Sequence, residues 1–146
     1  RIMKAKAKGA KIIVVDPRKT HIASLADIYV AQNLGSDVAW INGLMRIILQ
    51  EGWENADFIK ERTEGFEELK EAVEEYTPEK VAEITGIPPE TLKEIAKIYA
   101  TSEKSSIVYC MGITQHATGT DNVKSLANLA MLTGQIGRPS TGVNPL

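Results

Sequence analysis

Three short apolar runs, each ending in a polar turn, recur along this chain between segments of helical period. Lys11 to Val15 runs into Asp16-Pro17-Arg18, Asp27 to Ala31 into Gly35-Ser36-Asp37, and Ser106 to Cys110 into Met111-Gly112-Ile113-Thr114-Gln115. The runs are short, apolar and rich in β-branched residues, which predicts strands over 12–15, 28–31 and 107–110 buried on both faces. Around them the spacing predicts helices. Residues 1–8 read as a helix stopped by Gly9, and residues 20–26 as a short crossover. Ser36 reads as the cap of a helix whose Ile41, Leu44, Met45 and Ile48 form an inward stripe, closed by Gly52. Residues 53–103 read as a nearly all-helical insertion. Asn55 caps its first helix, Thr77-Pro78-Glu79 and Pro88-Pro89-Glu90 open two later ones, and Leu92, Ile95, Ala96 and Tyr99 face inward. Thr120 is expected to cap a last helix with Val123, Leu126, Ala127 and Ala130 inward and Gly134 at its end, followed by loop. Strands alternating with helices predict an α/β fold. The expectation is a Rossmann-like, doubly wound parallel sheet of all three strands, with the helical block as an elaboration.

Composition narrows the functional classes. With 146 residues, 43% of them hydrophobic, the chain holds one domain with a sizeable core. The net charge is −2 and the basic residues are dispersed, which gives no electrostatic footprint for nucleic acid. Cys110 is the one cysteine, so no internal disulfide and no cysteine metal spacing exist, and its place in an apolar run reads as a buried small hydrophobe. The glutamates between positions 64 and 75 have no His or Cys among them and read as a solvated acidic face, not a metal site. No apolar run is long enough to span a bilayer and no signal peptide is visible. The expected location is cytoplasmic. The chain opens at Arg1 and closes on Val143-Asn144-Pro145-Leu146, which reads as a piece of a longer protein with any targeting signal outside it.

In an open parallel sheet, ligands sit at the carboxyl ends of the strands. The three polar turns would share that edge and bring together two carboxylates, a guanidinium, a side-chain amide and glycines. Asp16 can accept from ribose hydroxyls or simply form a strand-end turn, and Arg18 can meet a base or phosphate or stay on the surface. A carboxylate at Asp37, after the close approach that Gly35 permits, suits guanine, whose N1–H and N2–H₂ donors lie side by side. Neither GxGxxG nor GxxxxGK[ST] occurs, which counts against a free-standing dehydrogenase or NTPase. His21 and His116 lack partners at the spacing of a triad. No catalytic or metal-ligating residue is therefore assigned.

Gly9-Ala10-Lys11-Ile12-Ile13-Val14-Val15-Asp16-Pro17-Arg18-Lys19-Thr20 resembles the molybdopterin-dependent oxidoreductases, and within them the catalytic alpha subunits of formate dehydrogenases. So do Arg62-Thr63-Glu64-Gly65-Phe66-Glu67, Met111-Gly112-Ile113-Thr114-Gln115-His116, Leu129-Ala130-Met131-Leu132-Thr133-Gly134 and Gly142-Val143-Asn144-Pro145. The motifs are colinear along essentially the whole chain. The resemblance implies a bis(molybdopterin guanine dinucleotide) cofactor carrying molybdenum or tungsten. It implies that Asp16 and Arg18 meet the nucleotide end, Gly35 and Asp37 the guanosine, and Met111, Gly112 and Gln115 the pterin or pyrophosphate. The family's iron–sulfur cysteines, its Cys or selenocysteine metal ligand and its active-site arginine would lie outside this segment. Partners would be the rest of the parent subunit and an electron-transfer subunit or acceptor. The alternatives are another oxidoreductase of the family, such as a nitrate reductase, and a binding module that keeps the fold without the cofactor.

Overall fold

The computed structural model describes all 146 residues. The chain runs α1 (Ile2–Lys6), β1 (Ile13–Val15), α2 (His21–Ser24), β2 (Ile28–Val30), α3 (Asp37–Glu51), α4 (Ala56–Arg62), α5 (Phe66–Glu74), α6 (Pro78–Thr85), α7 (Pro89–Thr101), β3 (Ser106–Tyr109), α8 (Met111–Thr114), α9 (Gly119–Leu132) and β4 (Gly142–Pro145). It is a mixed α/β fold with small parallel sheets.

The core is built around α3, against which α5, α6, α7 and α9 pack. The expected stripe of Ile41, Leu44, Met45 and Ile48 is buried, and it meets Val73, Val81, Leu92, Ile95, Leu126 and Leu129 from the surrounding helices. The helical block is thus part of the core. Its punctuation follows the sequence. The Asn55 carboxamide oxygen accepts from the Phe58 N–H at 3.0 Å, the Thr77 hydroxyl accepts from the Lys80 N–H at 3.3 Å, and Gly52 and Gly86 end their helices in the left-handed conformation.

The last helix departs from expectation. It starts at Gly119, before Thr120, and its buried face carries Asn122 and Ser125 beside Leu126, Leu129 and Ala130. Buried polar groups need partners. Asn122 donates to the Ile113 carbonyl at 2.9 Å, tying α9 to α8. Beyond the helix, buried Gln135 donates to the Ser102 carbonyl at 2.8 Å and accepts from the Ser105 N–H at 2.9 Å, which sets the entry to β3. Tyr99 is half-enclosed nearby. Burial pushes its hydroxyl up to about 12. Thr133 spends its own proton on the Leu129 carbonyl at 2.9 Å, and the Tyr99 hydroxyl finds no hydrogen-bond partner.

The strands do not join in one sheet. β1 pairs with β2 in parallel, Val14 opposite Tyr29, and β3 pairs in parallel with β4, Val108 opposite Asn144. These are two separate two-stranded sheets, so the single doubly wound sheet is not formed within this chain. The partner that β3 takes is β4. Its backbone takes the edge of β3, and the Asn144 amide donates to the Ser106 hydroxyl at 2.8 Å and the Ile107 carbonyl at 3.2 Å. The segment read as loop is therefore a strand.

Nor is β3 buried on both faces. Ile107 and Tyr109 lie against the core while Ser106 and Val108 face out, Val108 being 49% exposed. Cys110 continues the outward face and is exposed, its thiol 3.1 Å from the Leu146 carbonyl, so it is not a buried hydrophobe.

Candidate functional site

The three polar turns follow their strands as expected, but they sit on two different sheets. At the first, the Asp16 N–H bonds the Val30 carbonyl at 3.2 Å, which places the turn beside the end of β2. The Asp16 carboxylate closes the turn itself, accepting from the Arg18 N–H at 2.7 Å. The Arg18 guanidinium lies 3.8 Å from the same oxygen and its side chain is 83% exposed. The turn-forming reading of Asp16 is thus realised, with the exposed Arg18 side chain ion-paired to the same carboxylate.

The second turn is anchored by a residue that sequence reasoning did not single out. Asn33 donates from its backbone to the Thr85 carbonyl at 2.8 Å and from its side chain to the Ile84 carbonyl at 2.9 Å, at the end of α6. Ser36 occupies the cap position of α3, yet its hydroxyl donates to the Asn33 carbonyl at 2.6 Å and caps no helix N–H. Gly35 has φ +76°, a left-handed conformation that an L side chain would strain, with open space where a Cβ would point.

Asp37 then opens α3 and is only 4% exposed. Its Oδ1 accepts from Gln32 Nε2 at 3.3 Å and from Trp40 Nε1 at 3.4 Å. Oδ2 makes no hydrogen bond within the chain and is not among the fully buried unpartnered atoms, so it keeps a trace of accessibility in a residue that is otherwise buried. The helix N-terminus favours its negative charge. Trp40, three residues along one helix face, could have been found from spacing. Gln32 offered no comparable signal.

The third turn, Met111–Gln115, belongs to the other sheet. It is one turn of helix, with the Gln115 N–H on the Met111 carbonyl at 2.9 Å. Met111, Gly112 and Gln115 are exposed. Gly112 needs neither a positive φ nor room for a neighbouring atom, since nothing lies within 4 Å of where its Cβ would be. His116 lies in this loop, its Nε2 bonding the Gly112 carbonyl at 2.9 Å. No hydrogen bond or ion pair joins this turn to the other two.

Two surface hollows lie elsewhere. Surface hollows of about 490 and 400 Å³ share Glu54 and Ala56 and are lined by residues of 53–68 with Ala100 and Thr133. None of the seven candidate residues lines either. No group of three or more His, Cys, Asp or Glu is placed to hold a metal ion. No helix is long and apolar enough to cross a membrane.

The family model of the molybdopterin oxidoreductases matches residues 1–146. The chain belongs to that family. Among family members, it is 54% identical over 145 residues, 99% of its length, to the F420-dependent formate dehydrogenase 2 subunit alpha of Methanococcus maripaludis, and covers 21% of that protein. It is 54% identical over 146 residues to the F420-dependent formate dehydrogenase subunit alpha of Methanocaldococcus jannaschii, covering all of this chain and 22% of that one. An assimilatory nitrate reductase catalytic subunit of Bacillus subtilis is 37% identical over 139 residues, 95% of this chain and 20% of that protein. The solved structure of acetylene hydratase from Pelobacter acetylenicus superposes with a TM-score of 0.91 at 32% identity, over 95% of this chain and 19% of that one. The chain thus spans about a fifth of the length of the relatives it matches.

Proposed function

We propose that this chain is a cofactor-binding domain of a molybdenum- or tungsten-dependent formate dehydrogenase, whose parent oxidises formate to carbon dioxide with two electrons passed on. It would hold one arm of a bis(molybdopterin guanine dinucleotide). The identity of 54% to two formate dehydrogenase alpha subunits, against 37% to a nitrate reductase, favours formate within the family. In this reading residues 1–146 form one binding domain, with the helices of 53–103 built into its core. The two small sheets are parts of a Rossmann-like, doubly wound sheet completed by the rest of the parent. When bound, the cofactor would supply the two-electron redox chemistry. The iron–sulfur cluster and metal ligand belong to the parent outside this segment, as do the contacts to the remaining domains and the electron acceptor.

The observation that carries the assignment of residues is the Asp37 carboxylate. One oxygen is held inside the chain by two donors and the other, two residues after Gly35, makes no hydrogen bond within it, so an acceptor is left without a partner. A guanine presenting adjacent N–H donors fits such an acceptor. Asp16 and Arg18 would meet the nucleotide end, the exposed Arg18 guanidinium exchanging its long ion pair with Asp16 for a phosphate. Met111, Gly112 and Gln115 would lie along the pterin or pyrophosphate, where Gly112 leaves room for close approach.

Asp37→Asn in the full subunit tests this. The Asn oxygen would stay on the Gln32 and Trp40 donors, which turns the NH₂ toward the donors of guanine. The expected loss is about 2–4 kcal/mol of cofactor binding with folding nearly unchanged. If Asp37 is only a first-turn charge on the helix dipole, stability falls by roughly 0.3–1 kcal/mol and cofactor content stays normal. Metal and guanine nucleotide per subunit, measured beside the melting temperature, separate the two.

A further inference from the structure

Four buried side-chain polar atoms in this chain have no hydrogen-bond partner, and only one of them, Gln32 Oε1, stands in a candidate turn. Leaving a buried acceptor unpaired is unfavourable, so its persistence calls for a reason. The opposite amide orientation offers no relief. It would set Oε1 against Asp37 Oδ1, acceptor against acceptor, and leave the NH₂ without its present partner. The arrangement therefore keeps a donor on Asp37 at the expense of an unsatisfied carbonyl. The turn does not depend on that side chain for its anchorage, because Asn33 next to it makes both bonds to the end of α6.

We propose that Gln32 is a positioning residue for the base-binding carboxylate. With Trp40 it fixes Asp37 Oδ1, so that Oδ2 is presented in one orientation and the site selects a base with adjacent N–H donors. This rests on the reading of Asp37 as the acceptor for guanine. Two donors at 3.3 and 3.4 Å on one oxygen restrain the rotation of the carboxylate. A restrained carboxylate loses little freedom on binding and cannot turn to accommodate a different donor pattern. Guanine offers N1–H and N2–H₂ to one edge, whereas adenine places the N1 acceptor there. Gln32 thus acts on selectivity more than on the stability of the fold.

The test uses the cofactor-free full-length subunit with GMP and AMP as probes, and guanine nucleotide content of the cofactor-loaded subunit as a second readout. Gln32→Met keeps length and removes both the donor and the orphaned acceptor. The preference for GMP over AMP should fall about tenfold or more, with no drop in melting temperature. Gln32→Lys, which restores a donor to Asp37, should recover the preference. An unchanged preference in Gln32→Met would overturn the proposal. So would parallel loss of GMP and AMP binding with a lower melting temperature, the signature of a merely structural side chain. If the unmutated subunit shows no preference for GMP, the guanine reading of Asp37 fails first. If it shows one that Gln32→Met retains, only the role of Gln32 fails.

Discussion

In the helical half, α3 is enclosed by four other helices, and Ile41, Met45, Ile48, Val81, Leu92 and Ala96 are wholly buried. In the strand half, two strand pairs stand apart, Val108 is half exposed, and Leu34 is 81% and Met111 59% exposed. The seven candidate ligand-facing residues all lie at the ends of the strands or the turns that follow. Hydrophobic burial is the main stabilising term, and it is concentrated where no ligand chemistry is found. The turns extend from that rigid body, as binding segments commonly do on a scaffold. Asp37 lies at the boundary. Its backbone belongs to the core helix, while one of its carboxylate oxygens makes no hydrogen bond within the chain.

The largest test of this division sets one substitution in each half side by side. Leu92→Ala removes a wholly buried side chain at the α3–α7 contact and should lower stability by about 2–5 kcal/mol in chemical denaturation. Val108→Thr, on the outward face of β3, should change it by no more than about 0.5 kcal/mol. Comparable losses would mean that the strand faces carry the fold as much as the helices do.

The helical half was legible because its signals are local. Cap residues at Asn55 and Thr77, terminal glycines at 52 and 86, and apolar positions at i, i+3, i+4 and i+7 act within a few residues of one another. β4 could not be read that way. Gly142, Asn144 and Pro145 are poor strand formers, and what makes them a strand is pairing with residues 36 positions earlier, from Ser106 to Tyr109. Cys110 could have been placed correctly, since alternation along β3 puts it on the face of Ser106 and Val108. In the site, the position of Asp37 followed from a glycine and a helix start. Its setting did not, because Asn33 reaches residues 84 and 85 and Gln32 reaches it across the turn.

A smaller effect is expected where the two halves meet. Gly119, at the start of α9, lies so close to the Thr114 carbonyl that an added Cβ would overlap the backbone of α8. Gly119→Ala should cost about 1–3 kcal/mol, since backbone and not a flexible side chain must give way. The strain should be relieved on the less tightly packed side. Hydrogen exchange should therefore quicken over residues 110–118 and stay slow in α3. Quickening in α3 as well would show that the third turn is coupled to the core, not carried on it.

The smallest effect concerns the outermost strand pair. Asp27 Oδ2 accepts from the Ile12 N–H at 2.8 Å, and its Oδ1 lies 3.4 Å from Lys6 Nζ. The backbone bond from Ile12 is the main reason its carboxyl sits below the ordinary 3.8; burial opposes this, and the hydrogen bond and charge of Lys6 and the charge of Lys11 add to it. A carboxyl depressed in the folded state stabilises that state in full above its unfolded value, and the contribution is lost as pH falls through the lower folded value. Acid should therefore loosen α1 and the start of β1 before it touches the helical half. The carboxylate faces solvent, so salt should weaken the Lys6 pairing while leaving the Ile12 bond in place. Exchange at the Ile12 amide, corrected for its intrinsic pH dependence, should rise as the pH falls from neutral through the lowered value of this carboxyl, while that of Met45 does not. Equal protection of Ile12 with the carboxyl ionised and protonated would show that the β1–β2 ladder holds without its carboxylate, and the strand half would then be better closed than its exposure suggests.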